Sequence, residues 1–148
     1  MKLYLDNSFL NRPFDDPNVG QNKLEAEILL FIIGLGRKGY VELVNSAMIT
    51  YENSANLVSE RKIFVDDVMK LASSYQDVDD RIRDRAKVIV KEFAIKPLDA
   101  LHIAIAESAG LDMFITCDRD LPKKYKGNLP VKIPVEFLTH YENNENNH

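Results

Sequence analysis

Four acidic residues stand among apolar neighbours, where a carboxylate needs a reason. Asp6 closes the apolar run Leu3-Tyr4-Leu5. Glu52 lies six residues after Ser46, with Met48 one turn before it and Ala55 one turn after. Asp99 sits near the start of Leu98-Asp99-Ala100-Leu101-His102-Ile103-Ala104-Ile105-Ala106, one of the most hydrophobic segments of the chain, and Asp118 follows Phe114-Ile115-Thr116-Cys117. Taken singly, each has a structural explanation. Asp6, Asp99 and Asp118 can cap helices, because aspartate accepts hydrogen bonds from free amides at helix starts, and Glu52 can face solvent. Taken together they suggest another chemistry. Two like charges 4 Å apart repel by roughly 4 kcal/mol at an effective dielectric near 20. A cluster of four carboxylates therefore calls for a cation or for raised pKa values, and oxygen-only ligands favour Mg²⁺ or Mn²⁺ over zinc. Cys117 is the only cysteine, which excludes an intramolecular disulfide and a cysteine-based zinc cage.

The elements that must position these acids follow from periodicity. Leu3-Tyr4-Leu5 reads as a buried strand and Asn11 to Gly20 as a loop. Leu24, Ile28, Phe31, Ile32 and Leu35 recur at helical spacing until Gly39, and Tyr40 to Val44 reads as a second strand. Ser46 can cap a helix to about Leu57, and Phe64, Val68, Leu71 and Ala72 mark another. Asp79 or Asp80 opens a helix with Ile82, Ala86, Ile89 and Phe93 on one face, its Arg81, Arg83, Arg85 and Lys87 forming a solvated one. Pro97 starts a helix that Gly110 ends, and Met113 to Thr116 is a third strand. Val131 to Phe137 reads as a last strand, at a sheet edge because Pro134 interrupts it. Strands alternating with helices argue for a parallel sheet covered on both faces, which binds ligands beyond its strands' carboxyl ends. Two strands here run into aspartates at that end.

In order and spacing these residues resemble the PIN-domain nucleases, including the VapC-type toxins. The resemblance rests on Leu5-Asp6-Asn7-Ser8, on Ser46 to Glu52, on Pro97-Leu98-Asp99-Ala100-Leu101-His102-Ile103-Ala104, and on Thr116-Cys117-Asp118-Arg119-Asp120-Leu121. It runs from Lys2 to about Phe137 and departs in the longer first loop, Asn11 to Asp16, and in the acidic stretch Ser73 to Asp80. It implies a three-layer α/β/α sandwich with a mainly parallel central sheet; chain length and the polarity of the last residues predict a single domain over 1–140 and a polar, disordered tail over 141–148. It also implies Mg²⁺- or Mn²⁺-dependent cleavage of RNA, with the metal-binding and catalytic roles on Asp6, Glu52, Asp99 and Asp118. An antitoxin protein is the partner such a toxin would have. A homodimer built on the face of Leu24, Ile28 and Leu35 is a further expectation.

Weaker candidates surround the four acids. Asn7 and Ser8 can orient Asp6 or form a local turn. The match to Thr116-x-Asp118 places the metal role on Asp118 and leaves Asp120 to orient water, with Arg119-Asp120-Leu121 starting a turn. His102, three residues after Asp99, shares a helix face with it; it suits a metal or acid–base role or that of a satisfied half-buried histidine. Cys117 reads as a packing residue. Lys123, Lys124 and Lys126 are candidates for contacting RNA phosphates, or a solvated loop.

Composition bounds the rest. The 148 residues are 45% hydrophobic and 28% charged, with 19 Lys and Arg against 23 Asp and Glu for a net charge of −4. One globular domain is expected, and a protein held on nucleic acid by bulk positive charge is excluded. The longest apolar run, Ile28 to Ile33, is far below the ~20 residues of a membrane span. With no signal-peptide pattern after Met1-Lys2, a soluble cytoplasmic chain without a membrane partner is expected. The sequence has neither a GxxxxGK[ST] loop nor a nucleophile elbow. Three other readings share the carboxylates: a non-catalytic PIN-like binding module, a metal-dependent phosphohydrolase acting on a small phosphate ester, and a receiver domain. The last would carry its phosphoacceptor Asp in mid-chain, and no acid cluster pairs with such a residue.

Overall fold

Strands whose residues are apolar on both sides must be covered on both sides, and Leu3, Tyr4, Leu5, Phe114 and Ile115 are at most 1% exposed. The computed structural model describes residues 1–146. Along the chain run β1 (Lys2–Leu5), α1 (Asn7–Leu10), a 3-10 turn (Arg12–Phe14), α2 (Asn22–Arg37), β2 (Glu42–Ser46), α3 (Ala47–Ser54) and α4 (Ser59–Met69). Then come β3 (Ser74–Gln76), α5 (Asp80–Phe93), α6 (Pro97–Ala109), β4 (Met113–Ile115), α7 (Leu121–Lys124), β5 (Val131–Lys132) and α8 (Pro134–Asn146). The five strands form one parallel sheet in the order β3-β2-β1-β4-β5, flanked by helices in the expected α/β/α arrangement. The chain moves outward from β1 to β2 and β3, then returns to place β4 on the other side of β1. The switch in direction therefore falls between β1 and β4, where Leu3, Tyr4 and Leu5 pair with Met113, Phe114 and Ile115. No described helix is long and apolar enough to cross a membrane.

The helix signals act as their chemistry dictates. The Ser46 Oγ accepts from the Ile49 amide at 3.1 Å and so caps α3. Asp79 caps α5 through the Ile82 amide, Pro97 opens α6, and Gly110 ends it in the left-handed conformation. On α2, Ile28, Leu29, Ile32, Ile33 and Leu35 are buried, each contributing roughly 2 kcal/mol by leaving water.

Three expectations need correction, and one stretch left without an element holds a strand. The segment after Val131 is not one strand interrupted by proline. β5 ends at Lys132, and Pro134 starts α8, where its missing N–H costs nothing. The Glu136 carboxylate, on the third helical residue, accepts from the Ile133 amide at 3.2 Å, one half of a capping box. That helix continues through 141–146 instead of fraying; Phe137 and Tyr141 stack at 5.9 Å and Tyr141 meets Phe31 at 5.7 Å. The remainder of the expected tail, 147–148, lies outside the described residues. The acidic stretch Ser73 to Asp80 contains an edge strand, β3, paired with β2 through Val44 and Ser74. Of the face assigned to a homodimer, Ile28 and Leu35 belong to the core, while Leu24 is 43% exposed.

Candidate active site

The carboxyl ends of β1 and β4 meet at the switch point, and a chain of short polar links ties them. The Asp6 amide still donates to Ile115 at 3.1 Å, which continues the ladder one residue past β1. The Asp6 Oδ1 accepts from the Phe9 amide at 3.1 Å and from Ser8 Oγ at 2.6 Å, so the aspartate does cap α1. Ser8 Oγ accepts in turn from the Cys117 amide at 3.1 Å and lies 3.5 Å from Thr116 Oγ1. Thr116 Oγ1 accepts from the Asp118 amide at 3.0 Å, and Asp118 Oδ1 from the Asp120 amide at 2.9 Å. Ser8 and Thr116 thus sit between Asp6 and Asp118. Asn7 does not orient Asp6: its Oδ1 accepts from Asn11 Nδ2 at 2.8 Å. Asp120 is exposed and lies in the turn that Asp118 closes.

Asp6 is buried, and that burial pushes its carboxyl above the ordinary aspartate range, against the hydrogen bonds of Ser8 and Thr116 that favour the charged form. Asp99 is raised as well, first by burial and then by the like charge of Asp118, with Glu52 adding to it and His102 opposing. Asp99 therefore feels the charges of both Asp118 and Glu52. Asp99 is the third residue of α6, and its side chain makes no capping hydrogen bond; the residue at the cap position is Lys96. Cys117 is buried, and burial pushes its thiol up and away from reactivity.

Glu52, near the end of α3, does not simply face solvent. Its Oε1 is hydrogen-bonded to Nε2 of the buried His102. His102 Nδ1 lies 2.6 Å from Tyr4 Oη, and Tyr4 Oη lies 2.7 Å from Ser46 Oγ. Tyr4 and Ser46 are fully buried, and burial drives the tyrosine hydroxyl far above its usual titration range.

Glu52 also lines a groove of about 380 Å³ with Asn7, Ser8, Asn11, Arg12, Asp15, Asn56 and Arg61. A larger hollow of about 510 Å³ between α5 and α6 holds none of the four acids. Among the described residues, no three His, Cys, Asp or Glu side chains stand as a finished metal cage. The donor set nevertheless fits a hard divalent cation. It is made of carboxylate oxygens, and two of the carboxyls are raised, Asp6 by burial and Asp99 by burial and the charges of Asp118 and Glu52, a cost that a bound cation would relieve.

One charged cluster beside the groove escapes the sequence reading. Glu25 is 1% exposed, and its Oε1 accepts from Arg12 Nε at 3.1 Å. Arg12 also pairs with Asp15 at 3.0 Å, and Arg61 with Asp15 at 3.2 Å. Arg61 donates to the Phe14 carbonyl at 3.0 Å and lies over the Phe14 ring. The Glu25 Oε2 accepts no hydrogen bond and has Arg119 3.9 Å away. These contacts hold the long first loop against α2 and α4. Lys123, Lys124 and Lys126 are exposed at and after α7, and none forms an ion pair among the described residues.

Comparison with known proteins agrees with this geometry. The family model described as PIN domain matches residues 3–127. The fold is similar to that of VapBC2 from Rickettsia felis, solved bound to a DNA fragment from its promoter. That match has 14% identity and a TM-score of 0.59, over 90% of this chain and 98% of that one. It is also similar to PAE2754 from Pyrobaculum aerophilum, at 19% identity and a TM-score of 0.55, over 95% of this chain and 94% of that one. A search of curated proteins returns no match.

Proposed function

The chain belongs to the PIN domain family, a family of nucleases, and on that premise we propose that it is an Mg²⁺- or Mn²⁺-dependent endoribonuclease. The observation that carries this reading is the run of short polar contacts that joins Asp6 to Asp118 through Ser8 and Thr116 at the switch point, with Asp99 raised by burial and by the charge of Asp118. Asp6, Glu52, Asp99 and Asp118 would hold the metal. A divalent ion, when bound, lowers the pKa of water and offsets charge developing on a phosphodiester.

The chain's own residues supply positioning. Ser8 and the Phe9 amide fix the Asp6 carboxylate, and Thr116 sets the turn that presents Asp118. The three exposed lysines, Lys123, Lys124 and Lys126, offer phosphate contacts at one flank of the acids on a protein whose net charge is −4. Likeness to VapBC2 supports a toxin role in which a partner antitoxin protein restrains the nuclease.

Incubation of the purified chain with end-labelled RNA tests the reading. Cleavage is expected with Mn²⁺ or Mg²⁺, is lost with a chelator, and is lost in Asp99→Asn. A chromogenic phosphate monoester stays intact. A parent chain that leaves RNA whole at saturating Mn²⁺, or that turns over the monoester instead, overturns the proposal.

A further inference from the structure

We infer that His102 is a positioning residue that holds Glu52 by one carboxylate oxygen and leaves the other free for the metal. The inference rests on the metal-binding reading of Glu52 given above. Its own observations are hydrogen bonds among the buried Tyr4, Ser46 and His102 and the half-buried Glu52.

The links form a closed loop that starts and ends on α3. The Ile49 amide donates to Ser46 Oγ at 3.1 Å, Ser46 Oγ meets Tyr4 Oη at 2.7 Å, Tyr4 Oη meets His102 Nδ1 at 2.6 Å, and His102 Nε2 meets Glu52 Oε1. A carboxylate oxygen only accepts, so the proton in the last link sits on Nε2. Nδ1 is then a bare lone pair, and Tyr4 donates to it. Tyr4 Oη accepts from Ser46, and Ser46 accepts from the helix amide. Every hydroxyl proton points the same way round. The packing fixes where the Tyr4 hydroxyl oxygen sits: the Tyr4 ring stacks on Phe114 at 5.1 Å and meets the imidazole edge-on at 5.7 Å.

The loop ties the first and last turns of α3, a helix of only eight residues, to the central strand β1 and to α6, which carries Asp99. Glu52 would otherwise be a flexible side chain with three rotatable bonds at the rim of an open groove. Clamped at Oε1, it keeps Oε2 without a hydrogen bond among the described residues. Partners of this kind, which hold a ligand without touching the metal, typically change metal affinity 10–100-fold when removed.

Two near-isosteric substitutions separate this role from simple core packing. The Gln amide reaches the position of the imidazole Nε2, whereas Asn reaches only that of Nδ1. His102→Gln therefore keeps the donor to Glu52, and His102→Asn keeps only the partner of Tyr4. Mn²⁺ binding, read by electron paramagnetic resonance of the free ion, is expected to stay within about threefold of the parent in His102→Gln. It is expected to weaken about tenfold or more in His102→Asn. The metal-free parent, labelled with ¹⁵N at histidine, is expected to show His102 with a protonated Nε2 and a bare Nδ1. The opposite tautomer overturns the clamp, as does equal Mn²⁺ affinity in the two variants, whether high or low. If the parent shows the expected tautomer but binds no Mn²⁺, the metal reading of Glu52 falls and the inference falls with it. That outcome differs from a parent that binds Mn²⁺ alongside two variants that match each other.

Discussion

Replacing Asp6 with asparagine separates its two duties, capping α1 and holding a cation. The Asn side-chain oxygen can still accept from the Phe9 amide, which stands 3.1 Å from Oδ1, and Asn is as good a cap as Asp. What is lost is a negative charge at a site that is only 7% exposed. Burial raises the Asp6 carboxyl above its ordinary value of 3.8, so the folded state binds that proton more tightly than the unfolded one. Its contribution to stability is full below about 3.8 and is lost as pH rises through the raised folded value. The Asn variant has no such loss. Without metal, above that raised value, it should melt no lower than the parent. Metal reverses the order. At a cation concentration one hundred times the dissociation constant, the parent gains about 2.7 kcal/mol. Unfolding entropy near 2.1 cal/mol/K per residue, over 148 residues, is roughly 0.3 kcal/mol/K, so that gain moves Tm by about 9 °C. The assay is a thermal melt of both proteins with and without Mn²⁺ at one pH. Equal metal-induced shifts in parent and variant would refute a site at Asp6, and a metal-free variant that melts several degrees lower would refute the account of its burial.

Asp118→Asn is expected to abolish metal-dependent RNA cleavage, while Asp120→Asn keeps a measurable rate and nearly the parent's Mn²⁺ affinity; cleavage assays with a Mn²⁺ titration read both. Changing Lys123, Lys124 and Lys126 together to Gln should weaken RNA binding and reduce the salt slope by about one per lost phosphate contact, measured by fluorescence anisotropy over a range of salt. Glu107 is partly buried, which alone would raise it, yet the hydrogen bonds from Arg85 and Tyr125 hold it below its ordinary value, and Tyr125 is pushed up to about 12. Its stabilisation is therefore present above about 4.5 and lost as pH falls through the lowered value, so Glu107→Gln should cost about 1 kcal/mol at neutral pH and progressively less in acid, measured by urea unfolding across pH. Ending the chain after Tyr141 should leave Tm within about 2 °C and the cleavage rate unchanged, because the aromatic contacts of α8 stop there; a thermal melt and an RNA assay check it.

How much of this was legible depends on whether the signal is local. β1, after Lys2, and β4 are short apolar runs that stop at a chemical boundary, and α6 carries its own start in Pro97 and stop in Gly110. All three could be read from neighbouring residues. β3 could not. Ser74-Tyr75-Gln76 has no apolar pattern and is a strand only because β2 offers it a ladder. Pro134 illustrates the opposite error: the same residue breaks a strand or opens a helix. The deciding feature was Glu136, two residues on, which reaches back to the Ile133 amide.

The site divides along the same line. That four acids stand among apolar neighbours is a local fact, and it led to Asp6 and Asp118, which lie just past the carboxyl ends of β1 and β4, and to Glu52 and Asp99 on helices. What each acid touches is not local. The partner of Glu52 lies 50 residues away and the tyrosine that orients that partner another 98 from it, so no spacing rule joins them. Glu25 shows where spacing and residue type disagree. It shares the 25-28-29-32 face of α2 with Ile28, Leu29 and Ile32, so helical spacing alone places it inward, yet a charged residue invites assignment to solvent and Leu24 to the core. The structure reverses the two, with Glu25 1% exposed and Leu24 43%. The reversal is tolerable because Arg12, 13 residues earlier, supplies a guanidinium at 3.1 Å; without it, a buried unpaired carboxylate would cost about 3–5 kcal/mol. The departure of the first loop from the family pattern and the misplaced acid on α2 are thus one feature. The loop that holds Arg12 and Asp15 lines the groove beside Glu52, and the buried charge of Glu25 anchors it there.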